Sequence, residues 1–156
     1  MKFIDSLSSQ LTIANLMSSN ISLTQSLISL IESVNVVLEN MTINDINTTY
    51  SFLLAIARSS VNQIKNMTIH DINVAALILQ KSNVTNIDNL HVYDVIKGVF
   101  IQESSIGMLQ NNRISRSGST SILQGGALLI KNSNSTIQNN TFEYNVAQSG
   151  GAIYID

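Results

Sequence analysis

LILQKSNVTNIDNLHVYDV, residues 77–95, supplies the frame on which almost every other segment of the chain can be laid. Its inward candidates are Leu77 and Leu79, then Ser82, then Ile87, Leu90, Val92 and Val95. Steps of two put alternate residues on one side of a short strand, and steps of three mark bends between strands. The helical pattern i, i+3, i+4, i+7 is not sustained anywhere in the chain. The unit is a coil of about three short strands.

An apolar pair followed three residues later by serine recurs six times: Met1, Phe3, Ser6; Ile28, Leu30, Ser33; Leu54, Ile56, Ser59; Leu77, Leu79, Ser82; Val99, Ile101, Ser104; Leu128, Ile130, Ser133. Successive serines stand 27, 26, 23, 22 and 29 residues apart. Such a period means stacked supersecondary units rather than one globule. Beyond each serine the frame continues at offsets five, eight, ten and thirteen, as in Leu38, Met41, Ile43 and Ile46 after Ser33. The Ser133 unit is one residue short, giving Ile137, Asn140, Phe142 and Asn145. For the first unit the offsets give Leu11, Ala14, Leu16 and Ser19, with LTIANL laid on MTINDI as a competing register. From each serine to offset thirteen the length is nearly constant, and the variation falls between offset thirteen and the next apolar pair, so insertions collect on one face.

These features predict an all-β fold, a right-handed parallel β-helix of about six coils with 22–29 residues each. At about 4.8 Å per coil the rod is roughly 30 Å long. Like residues then form ladders. The serines make a column bonded to turn backbone. Asn40, Asn66, Asn89, Asn111 and Asn139 make a second at a bend, where Asn tolerates the left-handed conformation. Inward positions turn polar in the last coils, at Asn112, Ser117, Asn140 and Asn145, and buried amides there need partners above and below.

QGGALLIKNSNSTIQNNTFEYNVAQSGGAIYI, residues 124–155, has two Gly-Gly-Ala-(Leu/Ile) elements 25 residues apart with Phe142-x-x-Asn145 between them. This resembles the paired motifs of the chlamydial polymorphic outer-membrane proteins and the large pectin-lyase-like surface proteins of ciliated protists. The resemblance implies an extracellular β-helix serving as stalk, adhesin or coat. The earlier coils keep the spacing but replace the Asn and Gly-Gly positions with apolar residues. A leucine-rich-repeat solenoid is the alternative fold, because Ile87-x-x-Leu90-x-Val92-x-x-Val95 matches that strand signature.

The composition limits function. At 156 residues, 44% hydrophobic and 12% charged, the chain has ample material for the core of one domain. Its net charge of -2 gives no footprint for nucleic acid or an anionic membrane surface. The absence of cysteine excludes disulfides, thiolate zinc sites and cysteine nucleophiles. MKFIDSLSSQ lacks the apolar run of a signal peptide, and no segment approaches the ~20 apolar residues of a membrane span. With no proline and seven glycines, the turns fall to Asn and Ser; AT-rich codons would produce the same bias without structural meaning.

Candidate sites are sparse. Asp45, Asp71 and Asp94 share a column, with Arg116 in the next coil. Carboxylates about 4.8 Å apart can ligate calcium, or each Asp can cap its own turn. The pectin-lyase enzymes, which this fold resembles, cut acidic polysaccharides with clustered Asp and a basic residue; only Arg116 is near, so no catalytic residue and no cofactor is expected. His70 and His91 sit at offsets eleven and nine and make no metal site. The column before the serines runs Asp5, Glu32, Arg58, Lys81, Glu103, Asn132, with opposite charges adjacent, as cross-strand pairing favours. An outward column of Lys2, Ser29, Ala55, Ile78, Phe100, Leu129 and Tyr154 is unusually apolar and meets either the neighbouring loops or a partner chain. Of seven Asn-x-Ser/Thr sequons, Asn20 and Asn47 fall in variable segments and are the glycosylation candidates.

Residues 1–156 are thus expected to form a single β-helix segment, a fragment of a longer solenoid without caps. Its expected role is structural or adhesive at the cell surface or outside the cell, with neighbouring chains, further coils or carbohydrate as partners. The rival is part of a pectin-lyase-like carbohydrate-active enzyme, which acidic and basic side chains converging in a groove would favour.

Overall fold

A computed structural model describes residues 4–6, 11–23, 27–48 and 52–156. Chain order gives β1 (Ile4–Ser6), β2 (Leu11–Ala14), β3 (Met17–Leu23), β4 (Ile28–Ile31), β5 (Val36–Thr48), β6 (Phe52–Ala57) and β7 (Ser60–Gln80). There follow β8 (Asn83–Gln102), β9 (Ser105–Gln110), β10 (Arg113–Ser117), β11 (Leu128–Lys131), β12 (Asn134–Gln138), β13 (Thr141–Glu143) and β14 (Ile153–Ile155). The ladders between them are all parallel, and the described elements are all strands. A β-solenoid results, and the leucine-rich-repeat alternative is excluded.

Three walls enclose the core. Leu54, Leu77, Val99, Leu128 and Ile153 align on the first. Leu38, Ile64, Ile87, Leu109 and Ile137 align on the second, and Ile43, Ile69, Val92, Ile114 and Phe142 on the third. Through the middle turns these side chains are almost wholly shielded from solvent. Burial of a large aliphatic side chain contributes about 1.5–3 kcal/mol, which drives the stacking.

The corners are the chemically unusual part. Each step of three in the inward frame contains one residue with φ near +50°, always the second of the two intervening positions. Glu32, Arg58, Lys81, Glu103 and Asn132 form the first such column. Asn40, Asn66, Asn89, Asn111 and Asn139 form the second, and Asp45, Asp71, Asp94, Arg116 and Tyr144 the third. A single left-handed residue turns the chain and keeps the frame residues on either side of the step inward, as with Ile87 and Leu90 around Asn89, so strand pairing runs through corners and β7 reaches 21 residues. The conformation costs an L-residue roughly 1–2 kcal/mol. Asn carries it most readily, yet Arg, Lys and Glu also do so here.

Side-chain ladders stabilise these corners. Ser33, Ser59, Ser82 and Ser104 each donate a backbone N–H to the hydroxyl of the next serine, at 3.0–3.1 Å. The hydroxyls of Ser59, Ser82, Ser104 and Ser133 donate to the carbonyl two residues before, at 2.7–2.9 Å. At the second corner, the Asn66 amide donates to Asn40 and the Asn89 amide to Asn66, both at 3.0 Å. Asn111 leaves this pattern and donates to Asp88.

The polar interior of the last turns is satisfied as a ladder must be. Asn112 accepts from Leu90 N–H at 2.8 Å and donates to the Ile87 carbonyl. Asn140 accepts from Asn112 and donates to the Leu109 carbonyl, while Asn145 accepts from Ser117 N–H and donates to the Ile114 carbonyl.

Three expectations are corrected. About five turns stack, slightly fewer than the six counted from serines. Ser6 pairs with Leu30, three positions from the serine column, and Ile4, not Met1, pairs with Ile28; Met1, Lys2 and Phe3 lie outside the described residues. Neither proposed register of the second strand holds, since Ile13 pairs with Leu38 and Met17 with Thr42. This degenerate segment offers apolar residues in several phases, and pairing with β5 selects one. The one-residue deficit after Ser133 is real, and the ladder absorbs it as a register shift between Ser135 and Ile137.

Candidate functional site

The outer side of the third wall carries two columns of polar and aromatic side chains. Pairing aligns Thr42, Thr68, His91, Arg113 and Thr141, and beside them Asn44, His70, Tyr93, Ser115 and Glu143. Inward neighbours alternate with these residues, so strand geometry alone directs them to solvent. The His70 and Tyr93 rings stack with centroids 4.5 Å apart and planes 6° from parallel. One turn further on, the small Ser115 interrupts the column. A depression of about 190 Å³ opens there, lined by His91, Tyr93, Arg113, Ser115 and Arg116.

Both guanidinium groups are held by carboxylates. Arg116 Nε and Nη2 donate to the two oxygens of Asp94 at 2.8 and 2.7 Å, and Arg113 Nη2 donates to Glu143 at 2.8 Å. Arg116 also lies over the Tyr93 ring, 5.4 Å from its centroid. Its hydrogen bonds hold the Asp94 carboxyl below the usual carboxylate range, and Asp94 in turn raises the affinity of Arg116 for its proton.

Sequence reasoning treated Arg116 and the two histidines separately and did not single out Tyr93 or Arg113. The signal was present in the offsets. Tyr93 shares offset eleven with His70, and Arg113 shares offset nine with His91.

The other candidate residues fall as follows. Asp45, Asp71 and Asp94 do share a corner column, each in the left-handed conformation. Their carboxylates take different partners: the Asn44 amide for Asp45, His70 Nδ1 for Asp71 and Arg116 for Asp94. Among the described residues no group of three or more His, Cys, Asp or Glu side chains could hold a metal ion. Opposite charges before the serine column do pair, Arg58 with Glu32 at 2.9 Å and Lys81 with Glu103 at 3.5 Å.

Ser29, Ala55, Ile78, Phe100, Leu129 and Tyr154 do form one column, headed by Asp5 in place of Lys2. It is partly covered by the chain itself. Ile78 is 8% and Leu129 4% exposed. Gly125 and Gly150, both at φ +59°, begin turns that press on the column. A Cβ on Gly125 would lie 2.9 Å from Leu129 Cβ, and one on Gly150 3.0 Å from Tyr154 Cβ. The Lys97 ammonium stands 4.9 Å from the Phe100 ring centroid.

Asn20 and Asn47 belong to strands rather than to variable loops, because β3 and β5 stay paired through Leu23 and Thr48. The exposed Asn47 amide accepts from Asn73 at 2.7 Å.

Parallel coils, ladder-forming corners and an outer polar face together define a β-solenoid repeat protein. The model of the right-handed β-helix region matches residues 6–156, and the chain belongs to that family. Comparison with curated proteins and with solved structures yields no match.

Proposed function

We propose that this chain is a structural and interaction segment of an extracellular or cell-surface β-helix protein, a rod presenting an adhesive face. The resemblance of its Gly-Gly-Ala elements to chlamydial and protist surface proteins supports that placement. The observation that carries the reading is the serine ladder, unbroken from Ser33 to Ser133, beside the asparagine ladder from Asn40 to Asn89. It builds a stiff scaffold and commits its repeated polar groups to shape. The segment associates with neighbouring chains through the part of the apolar column its own turns leave open, at Phe100 and Tyr154. Asn47 is an accessible glycan acceptor, and Asn20 is a second candidate.

A second reading, a segment of a carbohydrate-active enzyme, is favoured by the gathering of Asp94, Glu143, Arg113, Arg116 and His91 on one wall. Against it, both acids are bonded to guanidinium groups, and Asp94, whose pKa Arg116 lowers, is a poor proton acceptor.

Sedimentation velocity over a range of concentrations tests the structural reading. Wild type is expected to associate, and Phe100→Ser with Tyr154→Ser to sediment as a monomer. A wild type that is monomeric throughout, or a double variant that still associates, rejects the partner face.

A further inference from the structure

We propose that the depression over Ser115 is a binding site for a tetrahedral oxyanion, a sulfate or phosphate ester group on a larger ligand. The inference goes beyond the structural role and does not depend on assembly through the apolar column.

The outward stack on the third wall is interrupted. Asn44, His70 and Tyr93 occupy successive turns of one column, Ser115 follows, and Glu143 stands beyond it. Adjacent turns are about 4.8 Å apart, so the small side chain of Ser115 leaves a gap of roughly two spacings between the side chains of Tyr93 and Glu143. The floor is a hydroxyl-bearing side chain on a residue that is 5% exposed.

Three donor groups flank this floor on two sides. His91 and Arg113 stand in the neighbouring column, and Arg116 stands at the corner. Arg113 commits one N–H to Glu143 and Arg116 commits two to Asp94. A guanidinium has five N–H donors. Among the described residues the remaining guanidinium donors and the His91 ring have no protein partner.

The carboxylates therefore act as props. They hold both guanidinium groups in place before any ligand arrives, which reduces the ordering cost of binding. A carboxylate ligand would be matched by a single guanidinium fork. Three separate donor groups instead suit a group with three terminal oxygens, the pattern of a sulfate or phosphate ester.

The test is titration of the intact chain, followed by the arginine Nε–H resonances and by calorimetry at constant ionic strength. Probes are sulfate, phosphate, methyl sulfate and methyl phosphate, with acetate as the planar control. The tetrahedral ions are expected to shift Arg113 and Arg116 saturably, with acetate at least tenfold weaker. The tighter of the two esters identifies the source. Ser115→Val, which fills the floor and leaves both ion pairs in place, is expected to weaken binding at least tenfold without lowering the melting temperature. Arg113→Gln should do the same, and Arg58→Gln, at another corner, should change nothing. Unsaturable binding, acetate binding equal to sulfate, or equal loss in Arg58→Gln overturns the proposal.

Discussion

Ser82 donates its backbone N–H to the Ser104 hydroxyl at 3.1 Å, across 22 residues of sequence, while the Ser82 hydroxyl receives the same bond from Ser59. Each serine thus satisfies one corner and is satisfied by the next. Ser82→Ala removes the acceptor of a buried N–H, a loss of about 1–3 kcal/mol. The urea midpoint should fall accordingly with an unchanged slope. A midpoint within error of wild type would mean that water replaces the hydroxyl.

Asn112 is the most connected interior amide. Asn112→Leu matches the apolar Leu90 one turn below, and volume alone would predict tolerance. The expected result is a loss of about 3 kcal/mol or more, because Leu90 N–H, the Ile87 carbonyl and Asn140 all lose a partner. Calorimetric unfolding reads this directly, and an unchanged melting temperature would show that the ladder is dispensable.

Lys97 is half buried with its ammonium over the Phe100 ring, and desolvation lowers its pKa from the ordinary 10.5. The unfolded chain then binds more protons between the lowered value and 10.5, so stability rises with pH across that window. Lys97→Met should abolish this rise, measured as the pH dependence of the urea midpoint. Asp94 acts with the same sign at the acid end. Its pKa is lowered by Arg116, so its contribution is complete above the unfolded value and is lost as pH falls through the folded one. The pair is substantially solvent-exposed, and Asp94→Asn should cost under about 1 kcal/mol at neutral pH.

Glycan mapping in a secreting host separates the sequons. Asn66 gives its amide to Asn40 and receives that of Asn89, whereas Asn47 only accepts one bond from Asn73. Sugar is expected on Asn47 and not on Asn66. The reverse occupancy would refute the asparagine ladder.

Much of this was legible in the sequence, for a physical reason. In a solenoid each turn repeats the environment of the one below, so offset from Ser33 or Ser82 suffices to say that Met41, Met67 and Leu90 point inward. The same arithmetic holds for Glu32 with Arg58. It fails where repetition fails. Leu11, Ile13 and Leu16 present apolar residues in competing phases, and only pairing with β5 decides between them. The depression escaped notice because its defining residue is a small one. Ser115 carries no chemistry of its own, and its effect arises from what stands above and below it.

The spacing of the left-handed corners, eight residues and then five, behaves as a reading frame. A one-residue deletion inside that interval would exchange the inner and outer faces of a strand, as a frameshift exchanges codons. Between Ile72 and Leu77 a change of length leaves the frame of the next turn intact. The chain contains one such slip, between Asn132 and Asn139, which stand seven apart instead of eight. The bulge between Ser135 and Ile137 restores phase before Asn140. Lineages of this molecule can therefore diversify in length at one corner in three, and elsewhere only where a compensating bulge arises within the same turn.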